Sequence, residues 1–149
     1  MITDKLTTFC NGVALNTGAA GTYNIGDIID LGDDRDIGNG VPLYLVINVE
    51  TTATSGGSAT GQFRLVSDAT STISTTTATV HVTSAAFAVA DMTAGTNILT
   101  IVIPMEGNVY ERYLALQQIT GTAAFTAGAV DAFLTPTPKG WKTYPDGRN

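Results

Sequence analysis

One cysteine, one histidine and one tryptophan occur in 149 residues, and these scarcities remove whole classes of chemistry. A lone Cys10 forms no intrachain disulfide. With His81 as the only imidazole, the chain cannot by itself supply a Cys- or His-rich zinc centre. Charge is scarce as well: Asp, Glu, Lys and Arg make up 13% of the residues, against about 25% in an average globular protein. Seven basic residues against thirteen acidic ones leave a net charge of −6, and only Lys139, Lys142 and Arg148 fall near one another. Duplex nucleic acid and anionic membrane surfaces are held by clustered cations, so neither is an expected partner. No run approaches the ~20 apolar residues of a membrane-spanning helix. Residues 1–5 show no charged segment leading into an apolar stretch, so no secretory signal is read there, and synthesis in a reducing cytoplasm is the expectation.

Catalytic motifs are missing too. The segment Gly57-Ser58-Ala59-Thr60-Gly61 has the flanking glycines of a nucleophile elbow, but Ala59 stands where the serine belongs. Gly38-Asn39-Gly40-Val41-Pro42-Leu43 starts like a dinucleotide fingerprint but has Leu43 in place of the third glycine and leads into a strand. His81 sits among threonines in an alternating segment and reads as an ordinary strand residue, on the face opposite Val80 and Val82. The densest polar cluster is Asp27, Asp30, Asp33, Asp34 and Asp36 around Arg35. From Asp34, EF-hand spacing puts Asn39 at the glycine and Leu45 at the twelfth position, so that calcium loop is not present. The cluster reads first as an exposed loop whose aspartates cap turns, with an ion site or a subunit contact as alternatives. The expectation is no enzyme and no cofactor.

What the chain does have is alternation. In residues 43–50, Leu43, Leu45, Ile47 and Val49 share one face, and Tyr44, Val46, Asn48 and Glu50 the other. Residues 59–68 put Phe63 and Leu65 on one face and Gln62, Arg64 and Asp68 on the other. Segments 77–83, 109–120 and 124–134 are further strands, and 7–15 and 23–31 weaker ones. Residues 97–104 are apolar on both faces, as in a central strand covered on both sides or a strand covered by a neighbouring subunit. Glycine-bearing turns separate these runs, and Ser55-Gly56-Gly57-Ser58 reads as a hairpin loop. At 149 residues the chain buries roughly 70% of the surface of its unfolded form. The expectation is an all-β domain over 1–135, an antiparallel sandwich of about eight strands. It is followed over 136–149 by an extended tail with Pro136, Pro138 and Pro145, since proline cannot donate to a ladder. Trp141 in this tail either caps the domain's own core or contacts a neighbour.

Several segments together resemble one family. They are Met1-Ile2-Thr3-Asp4-Lys5-Leu6, then Asp27-Ile28-Ile29-Asp30-Leu31-Gly32, then Arg35-Asp36-Ile37-Gly38-Asn39-Gly40-Val41-Pro42-Leu43-Tyr44. Tyr110-Glu111-Arg112-Tyr113-Leu114, the run from Thr126 to Leu134 and the terminal Tyr144-Pro145 continue the match. Their order is similar to that of the capsid cement (decoration) proteins of Bordetella-phage type. The resemblance implies a jelly-roll-like sandwich on the outer capsid surface of a virion. It implies contacts with the major capsid protein and with other copies as a dimer or trimer, and no active site. Arg, Tyr and Trp are enriched in binding hot spots, so Arg35, Tyr44, Arg112, Trp141 and Tyr144 are the candidate interface residues. Arg112 has the alternative of pairing with an acid on an adjacent strand. Jelly rolls also host lectins, so a glycan or host-surface binding module is the competing reading.

Overall fold

The computed structural model describes residues 4–34, 37 and 40–138. The described residues form nine strands: β1 (Thr8–Ala14), β2 (Gly21–Asp30), β3 (Tyr44–Ser55), β4 (Thr60–Asp68), β5 (Thr79–Thr83), β6 (Phe87–Ala88), β7 (Asn97–Val102), β8 (Tyr113–Gly121) and β9 (Phe125–Thr135). Single-turn 3-10 helices at Lys5–Thr7 and Val89–Asp91 are the only helical elements among the described residues.

The strands form two antiparallel sheets with orders β1-β9-β3-β7 and β2-β8-β4-β5, with β6 adding a short pairing to β4. Between β1 and β5 and again between β7 and β9, consecutive strands change sheet, except at β4–β5. Eight strands interleaved this way across two sheets make a jelly roll. The expected hairpin at Ser55-Gly56-Gly57-Ser58 is therefore a crossover: β3 and β4 lie in different sheets. Gly57 serves close approach there, because a Cβ on it would lie 2.9 Å from that of Ala123.

Alternation fixes the inward faces. Leu45, Ile47 and Val49 of β3 meet Phe63 and Leu65 of β4, Leu114 and Leu116 of β8, and Phe125, Val130 and Ala132 of β9 in one core. Burial of large aliphatic and aromatic side chains, at about 1.5–3 kcal/mol each, is the main force closing the sheets. The outer face of the second sheet has a smaller cluster of Val66, Ala115 and Ile73, with Ile73 coming from the β4–β5 loop. That loop is pinned by Asp68, whose carboxylate accepts from the backbone N–H groups of Thr70 and Ser74. The core also holds an amide that alternation does not announce. Gln118 is fully buried, accepts from Asn16 N–H at 2.8 Å and donates to Asn16 O and Thr120 Oγ1, so the β1–β2 connection is tied down with every amide group used.

Candidate functional site

The expectation for 97–104 left two outcomes, and β7 corrects the first of them. Among the described residues it hydrogen-bonds to β3 alone and ends its sheet, so there it is an edge strand, and apolar residues remain in the open. Ile101 is 36% and Val102 46% exposed. Tyr44, an expected interface residue, is half-buried directly opposite Val102. The loops at this end of the sandwich add Val41, Met105 and Val109, all exposed. The 104–110 loop is cinched, because buried Tyr110 donates its hydroxyl to Pro104 O at 2.6 Å. Residues 99–102 of β7 contain no charge, proline or register shift, the devices that ordinarily blunt a free edge. The result is an apolar, preformed surface with open backbone hydrogen-bonding groups along one side.

The other expected interface residues are placed apart from this surface or lie outside the described residues, as Arg35, Trp141 and Tyr144 do. Arg112 is exposed at the entrance to β8. It donates from Nε to Asp30 Oδ1 at 2.8 Å and from Nη2 to Oδ2 at 2.9 Å, and its guanidinium lies 5.0 Å from the centre of the Tyr113 ring. This is the internal-pairing alternative: the acid comes from β2, the strand beside β8. The Arg112 hydrogen bonds, followed by the Gly32 N–H, pull the Asp30 carboxyl down to about 2. The pair is exposed at the surface, so its contribution to stability is small. In the rest of the aspartate cluster, Asp33 accepts from the Asp34 N–H, a turn-capping arrangement. No group of three metal-ligating side chains converges among the described residues.

Sequence reasoning missed one cluster. Ser67, His81, Tyr110 and Glu111 meet where β4, β5 and the approach to β8 converge. Ser67 Oγ lies 2.7 Å from His81 Nε2 and accepts from the Glu111 N–H at 3.1 Å. The imidazole stacks on the Tyr110 ring with centroids 3.8 Å apart. The signal is lost in sequence because β5 has a bulge. Leu65 pairs with Val82 and Val66 with Val80, so His81 is the extra residue. The two valines consequently fall on opposite faces, Val82 in the core and Val80 38% exposed, which corrects the simple alternation read for 77–83. Ser67 is fully buried, and Glu111 approaches the serine from 3.5 Å rather than orienting the imidazole. The order nucleophile, base, orienter is therefore not assembled. The cluster ties three chain segments together.

The cluster sets a pH dependence. Burial lowers the His81 pKa from its ordinary 6.5, so the unfolded chain binds this proton more tightly than the native one. Stability is then complete above pH 6.5 and declines as the pH drops below it, until the native-state value is passed. Asp30 and Asp68, held low by their hydrogen bonds, keep their effect until the pH nears 3.8. Thermal melts between about pH 7.5 and 5 should show a falling midpoint, and His81→Asn should flatten the slope. An equally steep slope in that variant would assign the effect to another group.

Cys10 is buried, and burial, with Asp131 and Asp27 adding to it, pushes its thiol up to about 12, so it carries no thiolate chemistry near neutrality. A groove of about 570 Å³ runs beside β2, lined by Lys5, Leu6, Thr8, Asp27, Ile28 and Asp30 among others.

The family comparison bears on this geometry. The Bbp16 family model matches residues 9–134, from the second residue of β1 to the penultimate residue of β9. The chain belongs to the Bbp16 family. This is a family of Bordetella-phage proteins, and its match spans the whole two-sheet body, β7 included. No curated protein matches the chain. No helix among the described residues is long and apolar enough to cross a membrane.

Proposed function

We propose that this Bbp16-family chain is a capsid cement protein, bound to the outer surface of a phage head, where it joins capsomers by contacts with the major capsid protein and with other copies of itself. The observation that carries the reading is the unprotected edge of β7. Soluble monomers normally guard a free strand of this composition, whereas a subunit that works by lateral association needs one. The low charge content supports the same reading, since charged residues are depleted in interface cores. An edge strand paired antiparallel with its own copy makes a twofold contact, which favours a dimer over a trimer.

Cementing requires binding energy directed at the assembled state. A subunit that binds the finished shell better than free capsomers stabilises the shell by mass action, and many copies on a symmetric lattice add their effects. The jelly roll supplies rigidity, and no bond-making step is involved. Quantitative gel analysis of purified particles tests the reading. A copy number comparable to that of the shell subunit, with density outside the shell in a particle reconstruction, is expected. A handful of copies per particle, or density at the tail, would defeat it.

A further inference from the structure

The outer face of the β2-β8-β4-β5 sheet contains a cation that binds no acceptor among the described residues. Cross-strand pairing lines up Asn24, Gln117, Arg64 and Thr83 in one row, and Thr22, Ile119 and Gln62 in the next. Arg64 is the only charged residue in either row. It is half-buried, its Nε is shielded from solvent without an acceptor, and its guanidinium forms no hydrogen bond or ion pair among the described residues. Two acids share this face further along the same strands, and both are engaged. Asp30 holds Arg112, and Asp68 holds the β4–β5 loop. The nearby amides are engaged as well: Gln62 donates to Ser84 O, and Gln117 to Asn24 Oδ1 and Ser74 O.

A sealed donor left unsatisfied is costly to a native fold. In a chain with thirteen acidic residues, an internal carboxylate would have been an easy remedy. The planar guanidinium fork matches a carboxylate with two parallel hydrogen bonds. We propose that Arg64 is a docking point for an Asp or Glu side chain of a protein partner, seated on the otherwise uncharged half of this sheet face. The inference rests on the cement reading only in naming the capsid shell as the surface that presents the carboxylate. The face is distinct from the β7 edge, which belongs to the other sheet, so one subunit has separate surfaces for another copy and for the shell.

Two measurements decide it. In solution, the Arg64 Nε–Hε resonance is followed during titration with hexaglutamate and, separately, with inorganic phosphate and with sodium chloride at matched ionic strength. A saturable shift with hexaglutamate alone is expected. An equal response to phosphate would make this a general anion site, and no response to hexaglutamate beyond that to chloride would reject it. In the second, Arg64→Met and Arg64→Lys are compared with the wild type for rebinding to particles depleted of the protein. Arg64→Met should bind at least about tenfold more weakly, with Arg64→Lys intermediate, while the free Arg64→Met protein melts at or above the wild-type temperature. A lower melting temperature would mark Arg64 as a structural residue and overturn the inference. Wild-type protein that ignores the particles would sink the cement reading while the resonance titration still decides the role of Arg64.

Discussion

Gly26→Ala should cost about 3–5 kcal/mol, a large share of the 5–15 kcal/mol available to a domain of this kind. Gly26 sits at φ +73°, and a Cβ there would lie 2.2 Å from Phe9 O, 2.9 Å from Phe9 C and 2.6 Å from Cys10 Sγ. Two of those three atoms are backbone, so no change of rotamer relieves the overlap. The cause is a register shift in β2, whose pairing with β8 skips from Ile25 to Ile29. The shift swings Gly26 against β1, the edge strand of the opposite sheet, and shuts that side of the sandwich at backbone distance. Alanine would push β1 and β2 apart and open the core beside Phe9 and Ile25, both buried. Gly95→Ala is the control, since Gly95 also has a positive φ, +83°, but nothing within 4 Å of a Cβ. It should lose only about 1 kcal/mol, from conformation alone. Urea unfolding of the two variants measures the difference, and similar midpoints would show that the β1–β2 approach is not under this constraint.

The same bulges mark where the sequence stops being legible. The inward faces of β3 and β4 follow from strict alternation, because a period of two leaves Leu45, Ile47, Phe63 and Leu65 only one way to point. Alternation does not say which strand neighbours which. The Gly56-Gly57 turn suits a hairpin and a crossover equally, and only the pairing of Thr60 with Gly121 and Ala88 decides for the crossover. The edge position of β7 is hidden for a related reason, since an apolar strand covered on both sides and an apolar strand at a sheet edge have the same composition. His81 needed a bulge to reach Ser67, and a bulge adds one residue without leaving a mark in hydrophobicity. Alternation places Arg64 on the correct face from its neighbours, yet its lack of a partner among the described residues is a property of the whole face. Arg112 found its acid 82 residues away in sequence.

The β7 edge gives the largest functional effect. Val102→Lys places a charge on the outward face of the strand, beside Tyr44 and away from the core, and Lys is the residue that natural edge strands use to repel a second chain. The variant should fold with little change in melting temperature, because Val102 is 46% exposed and surface substitutions of this kind fall within about 0.5 kcal/mol. It should nevertheless lose self-association in sedimentation and rebind depleted particles at least about tenfold more weakly, the effect of removing a central contact of more than about 1.4 kcal/mol. Val80→Lys supplies the comparison. Val80 is similarly exposed at 38%, but lies on β5, the edge of the other sheet, and its substitution should leave self-association intact. If both variants weaken association equally, general hydrophobicity rather than β7 holds the copies together. If neither does, the open strand is covered by something other than a second copy. The two edges differ in protection as well as place: β5 is short and bulged at His81, whereas residues 99–102 of β7 run in straight register against β3. Only the latter offers an unbroken row of backbone groups for another chain to bind.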